Sequence, residues 1–106
     1  MIFRSILCQA AVGLALIPSA LAASTPEEHG KAYALSHCAR CHAIGRVGRS
    51  PLKSAPPFRA LHLRYPVETL EEALAEGITT GHPDMPEARL EPDQIHDLLS
   101  YLKTLE

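Results

Sequence analysis

Cys38-Ala39-Arg40-Cys41-His42 places two thiols three residues apart and an imidazole directly after the second thiol. The residues before this stretch predict a helix. Thr25 can cap that helix, Pro26 suits its first position, and Glu28 completes a capping box. We expect the helix to run to about His37, so that the two thiols stand at its end and can reach the same edge of one bound group.

The pattern Cys-x-x-Cys-His is the attachment signature of a c-type haem, whose two vinyl groups form thioethers with the thiols while the histidine binds iron through Nε2. A thioredoxin-like pair would need a βαβ context, and no strand is predicted before the motif. A structural zinc site needs four ligands, but the nearest histidine pair, His37 and His42, flanks the cysteines too tightly. A disulfide between Cys38 and Cys41 is the remaining alternative.

Residues 1–22 have the pattern of a secretory signal peptide, with Arg4 before an apolar stretch over residues 6–17 and a cleavage site at Ala20-Leu21-Ala22. As a helix, the apolar stretch would span only about 18 Å, short of the ~30 Å hydrocarbon core of a membrane. We therefore expect a mature chain of residues 23–106, a single domain located in the periplasm.

The composition describes a chain that can fold around a core but has little material for a large one. Hydrophobic residues make up 46% and charged residues 21%, and the net charge of −2 excludes a basic protein that wraps nucleic acid. Without residues 1–22 the net charge is −3. A domain this small gains stability from a large bound cofactor.

The remaining segments predict an all-α chain. We expect a long loop rich in Gly and Pro over residues 43–66. A short helix should follow from Val67 to Glu76 and end at Gly77, and a second loop should cover residues 78–91. Pro92 opens the last helix. An apolar stripe at helical spacing marks one face of it, formed by Ile95, Leu98, Leu99, Leu102 and Leu105.

With these features the sequence resembles the class I cytochromes c over essentially all of residues 23–106. The resemblance implies a cytochrome c fold, in which N- and C-terminal helices cross, a short helix lies between them, and long loops wrap one haem. Gly30 matches the small residue at the helix crossing, and Tyr101 matches the aromatic residue that packs over it. Ala34 is a departure, because the family has an aromatic residue there; here Tyr33 stands beside it.

The resemblance also implies how one haem c and its iron are held. Cys38 and Cys41 would attach the haem, and His42 and Met85 would be the axial ligands. Met85 lies in a loop rich in Gly and Pro rather than on an apolar helix face, which favours a ligand over a core residue. A thioether ligand raises the haem potential, whereas the competing ligand, His82, would lower it.

Two further residues are implied in haem binding. Pro56, in Ala55-Pro56-Pro57-Phe58, resembles the proline whose carbonyl accepts a hydrogen bond from the ligating His42 and so fixes its ring. Arg64 lies eight residues later, where family members often place a basic residue near a haem propionate. A propionate favours a charge-assisted partner of this kind, and the alternative is an ordinary surface arginine.

The function implied is single-electron transfer by a monomeric periplasmic protein that is not an enzyme. Its partners would be redox proteins, a donor dehydrogenase and a terminal oxidase or reductase, with no nucleic acid and no membrane span in the mature chain. Two alternatives stay open: a dedicated electron-accepting subunit of one dehydrogenase, and a gas-binding or catalytic haem domain.

Overall fold

The computed structural model describes residues 10–16, 24–78 and 84–106. Within these ranges the chain is helical and has no strand: α1 spans Pro26–His37, α2 spans Leu70–Glu76 and α3 spans Pro92–Lys103. Two 3₁₀ helices, Phe58–Leu63 and Val67–Thr69, precede α2. The all-α prediction is confirmed. The predicted signal peptide lies largely outside the described residues, and so does His82.

Helix α1 begins as its sequence predicts. The Thr25 hydroxyl accepts a hydrogen bond from the Glu28 backbone N–H at 3.2 Å, and the Glu28 carboxylate accepts one from the Thr25 N–H at 3.4 Å. These bonds satisfy two of the donors that a helix leaves free at its start. At the other end, the Cys38 N–H donates to the Ala34 carbonyl at 2.8 Å, so α1 leads directly into the Cys-x-x-Cys-His motif.

Helices α1 and α3 cross where α1 carries its smallest residues. A side chain at Gly30 would overlap the backbone carbonyl of Asp97, and its Cβ would lie 2.8 Å from the Tyr101 Cβ. Ala34 is completely buried, and Tyr33 is partly buried against the core. The lack of a side chain at Gly30 permits this approach, which brings the first half of α1 against Asp97 and Tyr101 of α3.

Helix α3 supplies more residues to the core than any other element that the structure describes. Pro92 is its first residue, and Glu91 and Gln94 form a capping box around it. The whole predicted stripe is buried: Ile95, Leu98, Leu99, Leu102 and Leu105. They pack with Val67 and Leu74 from the middle of the chain, which joins all three α-helices into one core.

The middle of the chain differs from the sequence prediction in two places. The helix expected from Val67 is a 3₁₀ turn at first and becomes α-helical only at Leu70; it ends at Gly77, whose φ of +101° favours glycine. The predicted loop contains the 3₁₀ helix Phe58–Leu63. Its buried residues, Phe58 and Leu61, are three apart and lie on one face, a spacing too short to form a clear periodic pattern.

Candidate functional site

The Cys-x-x-Cys-His motif forms one further helical turn after α1. The N–H groups of Cys41 and His42 both donate to the Cys38 carbonyl, at 3.2 and 2.9 Å. Residues three and four apart in a helical turn lie on the same face, so the two cysteines and the histidine share one side of the chain. Both cysteines are half-buried and carry free thiols.

The surroundings of Cys38 are apolar. Burial raises the pKa of its thiol to about 11. Burial also raises the pKa of Tyr33, and the neighbouring Cys38 adds to that effect. A redox-active thiol pair needs a lowered pKa, because the thiolate is the nucleophile. The raised pKa of Cys38 is opposite in direction to the lowered pKa that activates a thiol in a thioredoxin-like centre.

The ring of His42 is fixed from one side. Its Nδ1 lies 2.8 Å from the Pro56 carbonyl oxygen, which can only accept, so Nδ1 carries the proton and donates it. The Phe58 ring packs against the imidazole, with ring centroids 5.0 Å apart and planes tilted by 45°. In the neutral imidazole this tautomer places the lone pair on Nε2, the state that an imidazole needs to bind a metal.

The loop that carries Pro56 is fastened to the motif by backbone hydrogen bonds. The Phe58 N–H donates to the Ala43 carbonyl at 2.9 Å, and the Leu52 N–H donates to the Cys41 carbonyl at 3.0 Å. The Ala43 N–H donates in turn to the Ser50 hydroxyl at 3.0 Å. The proline carbonyl is thus held near His42 by the residues that follow the motif.

Met85 is half-buried in the segment before α3. That segment is attached to the end of α2: the Ile78 N–H donates to the Ala88 carbonyl at 3.1 Å, and the Leu90 N–H donates to the Leu74 carbonyl at 2.9 Å. Met85 therefore lies within a loop whose two ends are held together. Its role as a ligand, and the alternative His82, stay predictions.

An arginine that sequence reasoning did not single out has an unusual environment. Arg64 is exposed, but Arg59 is partly buried, and its Nη1 is a buried side-chain atom without a hydrogen-bond partner in the described part of the chain. A buried polar group left unsatisfied costs about 1–3 kcal/mol, and more when it is charged. The only sign in the sequence that Arg59 could lack a partner is the local excess of positive charge, because residues 29–67 hold seven Lys and Arg and no Asp or Glu.

These residues fit a haem. Two thiols and an oriented imidazole lie on one face, and Nη1 of Arg59, three residues after Pro56, lacks a partner of the kind that a haem carboxylate would supply. They do not fit the zinc alternative, because the described ranges contain no group of three or more His, Cys, Asp or Glu that could hold a metal ion. Among the same residues, no helix is long and apolar enough to span a membrane.

Comparison with known proteins gives one match. The model of the cytochrome c family matches residues 27–106, a range that begins in α1 and includes the motif, Pro56 and Met85. No curated protein and no solved structure matches the chain.

Proposed function

The chain belongs to the cytochrome c family, which carries electrons on a covalently attached haem c, and on this premise we propose that it is a periplasmic one-electron carrier with His42 and Met85 as axial ligands. The redox partners that the family implies are, in this proposal, a donor dehydrogenase and a terminal oxidase or reductase. The protein acts as a monomer and not as an enzyme.

The observation that carries the proposal is the 2.8 Å contact between His42 Nδ1 and the Pro56 carbonyl. A second hydrogen-bond partner fixes the tautomer of a ligating histidine, orients its ring and raises its basicity. The contact thus supports His42 as the proximal ligand.

The haem supplies a one-electron couple, with iron alternating between its ferrous and ferric states. Cys38 and Cys41 share one helical turn and would hold the haem covalently, which would prevent loss of the cofactor. Met85 offers a thioether, which favours ferrous iron and raises the potential. If His42 and Met85 both bound the iron, no coordination position would stay open for a substrate, which would favour a carrier over a gas-binding or catalytic domain.

The periplasmic location rests on the signal peptide proposed for residues 1–22. Its positively charged start, short apolar stretch and small residues before Ala23 support export and cleavage. A dedicated subunit of one dehydrogenase would have the same haem site. Size-exclusion chromatography of a native extract separates the two, because a free carrier elutes as a monomer and a subunit elutes with its enzyme.

The test is to express the full chain in a bacterium that exports proteins and attaches haem to them. Mass spectrometry of the periplasmic fraction should give residues 23–106 plus one covalent haem, and the ferric protein should show a low-spin spectrum with the weak far-red sulfur–iron band. Cys41→Ser is the control and should abolish double attachment. A chain that retains residues 1–22, or a haem that acid extraction removes, would contradict the proposal.

A further inference from the structure

We propose that Arg59, rather than the more exposed Arg64, binds a carboxylate of the haem through its guanidinium group. This inference rests on the proposed function, because it assumes that a haem occupies the site next to His42. Arg59 lies three positions after Pro56, in the first turn of the 3₁₀ helix Phe58–Leu63.

The first observation is the unsatisfied donor. Nη1 of Arg59 is buried and has no hydrogen-bond partner among the described residues. Buried polar groups are nearly always paired in folded proteins, and an exception calls for an explanation such as a missing ligand. A permanently charged guanidinium makes the exception more costly than it would be for a neutral group.

The second observation is the position of Arg59 beside the haem ligand. Its neighbour Phe58 packs its ring on the His42 ring, with 5.0 Å between centroids, and the Phe58 N–H donates to the Ala43 carbonyl at 2.9 Å. Pro56, on the other side, is the hydrogen-bond partner of His42 Nδ1. The backbone of Arg59 is thus held against the segment that carries the motif.

The third observation is that the stretch of sequence around Arg59 carries no carboxylate. Residues 29–67 contain no Asp or Glu. Two carboxylates among the described residues form ion pairs with groups other than Arg59. Glu68 pairs with Lys103 at 3.0 Å, and Asp97 lies 3.8 Å from a ring nitrogen of His29. A haem brings two carboxylates of its own, and the planar fork of an arginine matches a carboxylate with two parallel hydrogen bonds.

Arg64 is the competitor that the sequence favoured. It is exposed, whereas Arg59 is partly buried. An exposed arginine can satisfy its donors with water, so nothing in its surroundings calls for a haem carboxylate. The two residues therefore give different expectations for the same experiment.

The direct test is nuclear magnetic resonance of the wild-type holoprotein in its diamagnetic ferrous state. Guanidinium protons of Arg59 should show nuclear Overhauser effects to the methylene protons of one haem propionate. Such effects from Arg64 and not from Arg59 would overturn the inference, and so would their absence from both. The covalent haem itself, verified in the same sample by mass spectrometry, tests the proposed function separately.

The energetic test compares Arg59→Gln with Arg49→Gln, a matched loss of one charge at an exposed loop position. An opposite charge lowers the pKa of a carboxyl group by about 1–3 units. Loss of that charge in Arg59→Gln should therefore lower the acid dissociation constant of one propionate by about 10- to 1000-fold. The pH range over which the reduction potential changes should move upward in Arg59→Gln and stay in place in Arg49→Gln. Equal profiles in the two variants would overturn the inference.

Discussion

The Tyr101 hydroxyl donates a hydrogen bond of 2.6 Å to the carbonyl of Ile44, two residues after His42. Both residues are buried, with 6% and 9% of their surfaces exposed. The bond connects the last turn of α3 to the segment that leaves the motif. Because α3 also packs against Gly30 of α1, the position of the haem-attachment turn is fixed from both sides by the same helix.

Replacing Tyr101 with Phe should lower the free energy of unfolding by about 1–3 kcal/mol, because it leaves the buried Ile44 carbonyl without its donor. The measurement is guanidinium chloride unfolding of the holoprotein at neutral pH. Tyr65→Phe is the control, since Tyr65 is only partly buried. Equal midpoints for the two variants would mean that the bond to Ile44 contributes nothing.

The same hydroxyl predicts how stability depends on pH. Burial raises the pKa of Tyr101 in the folded chain above its value of about 10 in the unfolded chain. A raised pKa stabilises the fold below the unfolded pKa, and the contribution is lost as pH rises through the folded pKa. Unfolding free energy measured from pH 9 to pH 12 should thus decline less steeply in Tyr101→Phe than in the wild type. If the unfolding free energies of the two proteins declined with equal slopes, the raised pKa of Tyr101 would be contradicted.

Gly30→Ala should destabilise the helix crossing. Alanine gains up to about 1 kcal/mol of helix propensity over glycine, but here its Cβ would overlap the Asp97 carbonyl, a backbone atom that cannot rotate away. Overpacking costs about 1–3 kcal/mol, so the net change should be destabilising. Gly45→Ala is the matched control, because a Cβ at Gly45 has nothing within 4 Å. A Gly30→Ala protein as stable as Gly45→Ala would exclude this close approach of α1 and α3.

Leu98→Ala should lower the free energy of unfolding by about 2–5 kcal/mol, as is usual when a buried leucine is truncated. Leu98 is 5% exposed in the core that α3 shares with Ala34 of α1, whereas Leu63 is 77% exposed. Leu63→Ala should change stability by less than about 0.5 kcal/mol. Thermal unfolding of both variants tests the docking of α3 against α1, which similar midpoints would contradict.

The sequence predicts the features of this fold that local chemistry determines. The start of α1 follows from Pro26 with its capping partners, the start of α3 follows from Pro92, and the buried face of α3 follows from helical spacing alone. The environment of Arg59 could not be predicted, because burial of its Nη1 depends on how the 3₁₀ helix Phe58–Leu63 packs, and so short a helix leaves no periodic signal. The contact of His42 with Pro56 spans fourteen residues, and only family resemblance suggested it.

Met85→Ala tests the second axial ligand. Without the thioether the sixth position should open, so that the ferrous variant binds carbon monoxide readily and the reduction potential falls. Met85→His should stay low-spin, and its potential should fall as well. Optical spectra and spectroelectrochemistry of the holoproteins give both readouts. An unchanged spectrum in Met85→Ala would assign the ligand to another residue, with His82 as the first to examine.

The distribution of charge predicts how electrons leave the protein. The chain without residues 1–22 has a net charge of −3, but its cations gather near the haem-attachment motif and its acids in residues 68–106. Arg40 and Arg49 are exposed there, whereas Arg46 donates to the Thr104 carbonyl at 2.5 Å and is less free to meet a partner. A local positive field should attract an anionic partner and raise its association rate.

Oxidation of the ferrous protein by hexacyanoferrate(III), an anion, distinguishes the local field from the net charge. If the cations near the motif dominate, the stopped-flow rate should fall as salt is added, because screening acts over about 8–10 Å at physiological ionic strength. If the net negative charge dominates, the rate should rise. Arg49→Glu should flatten or reverse the salt dependence, while Lys31→Glu makes the same change of charge at an exposed position on α1 and should affect it less. Equal slopes for the two variants would place the site of electron exit away from Arg49.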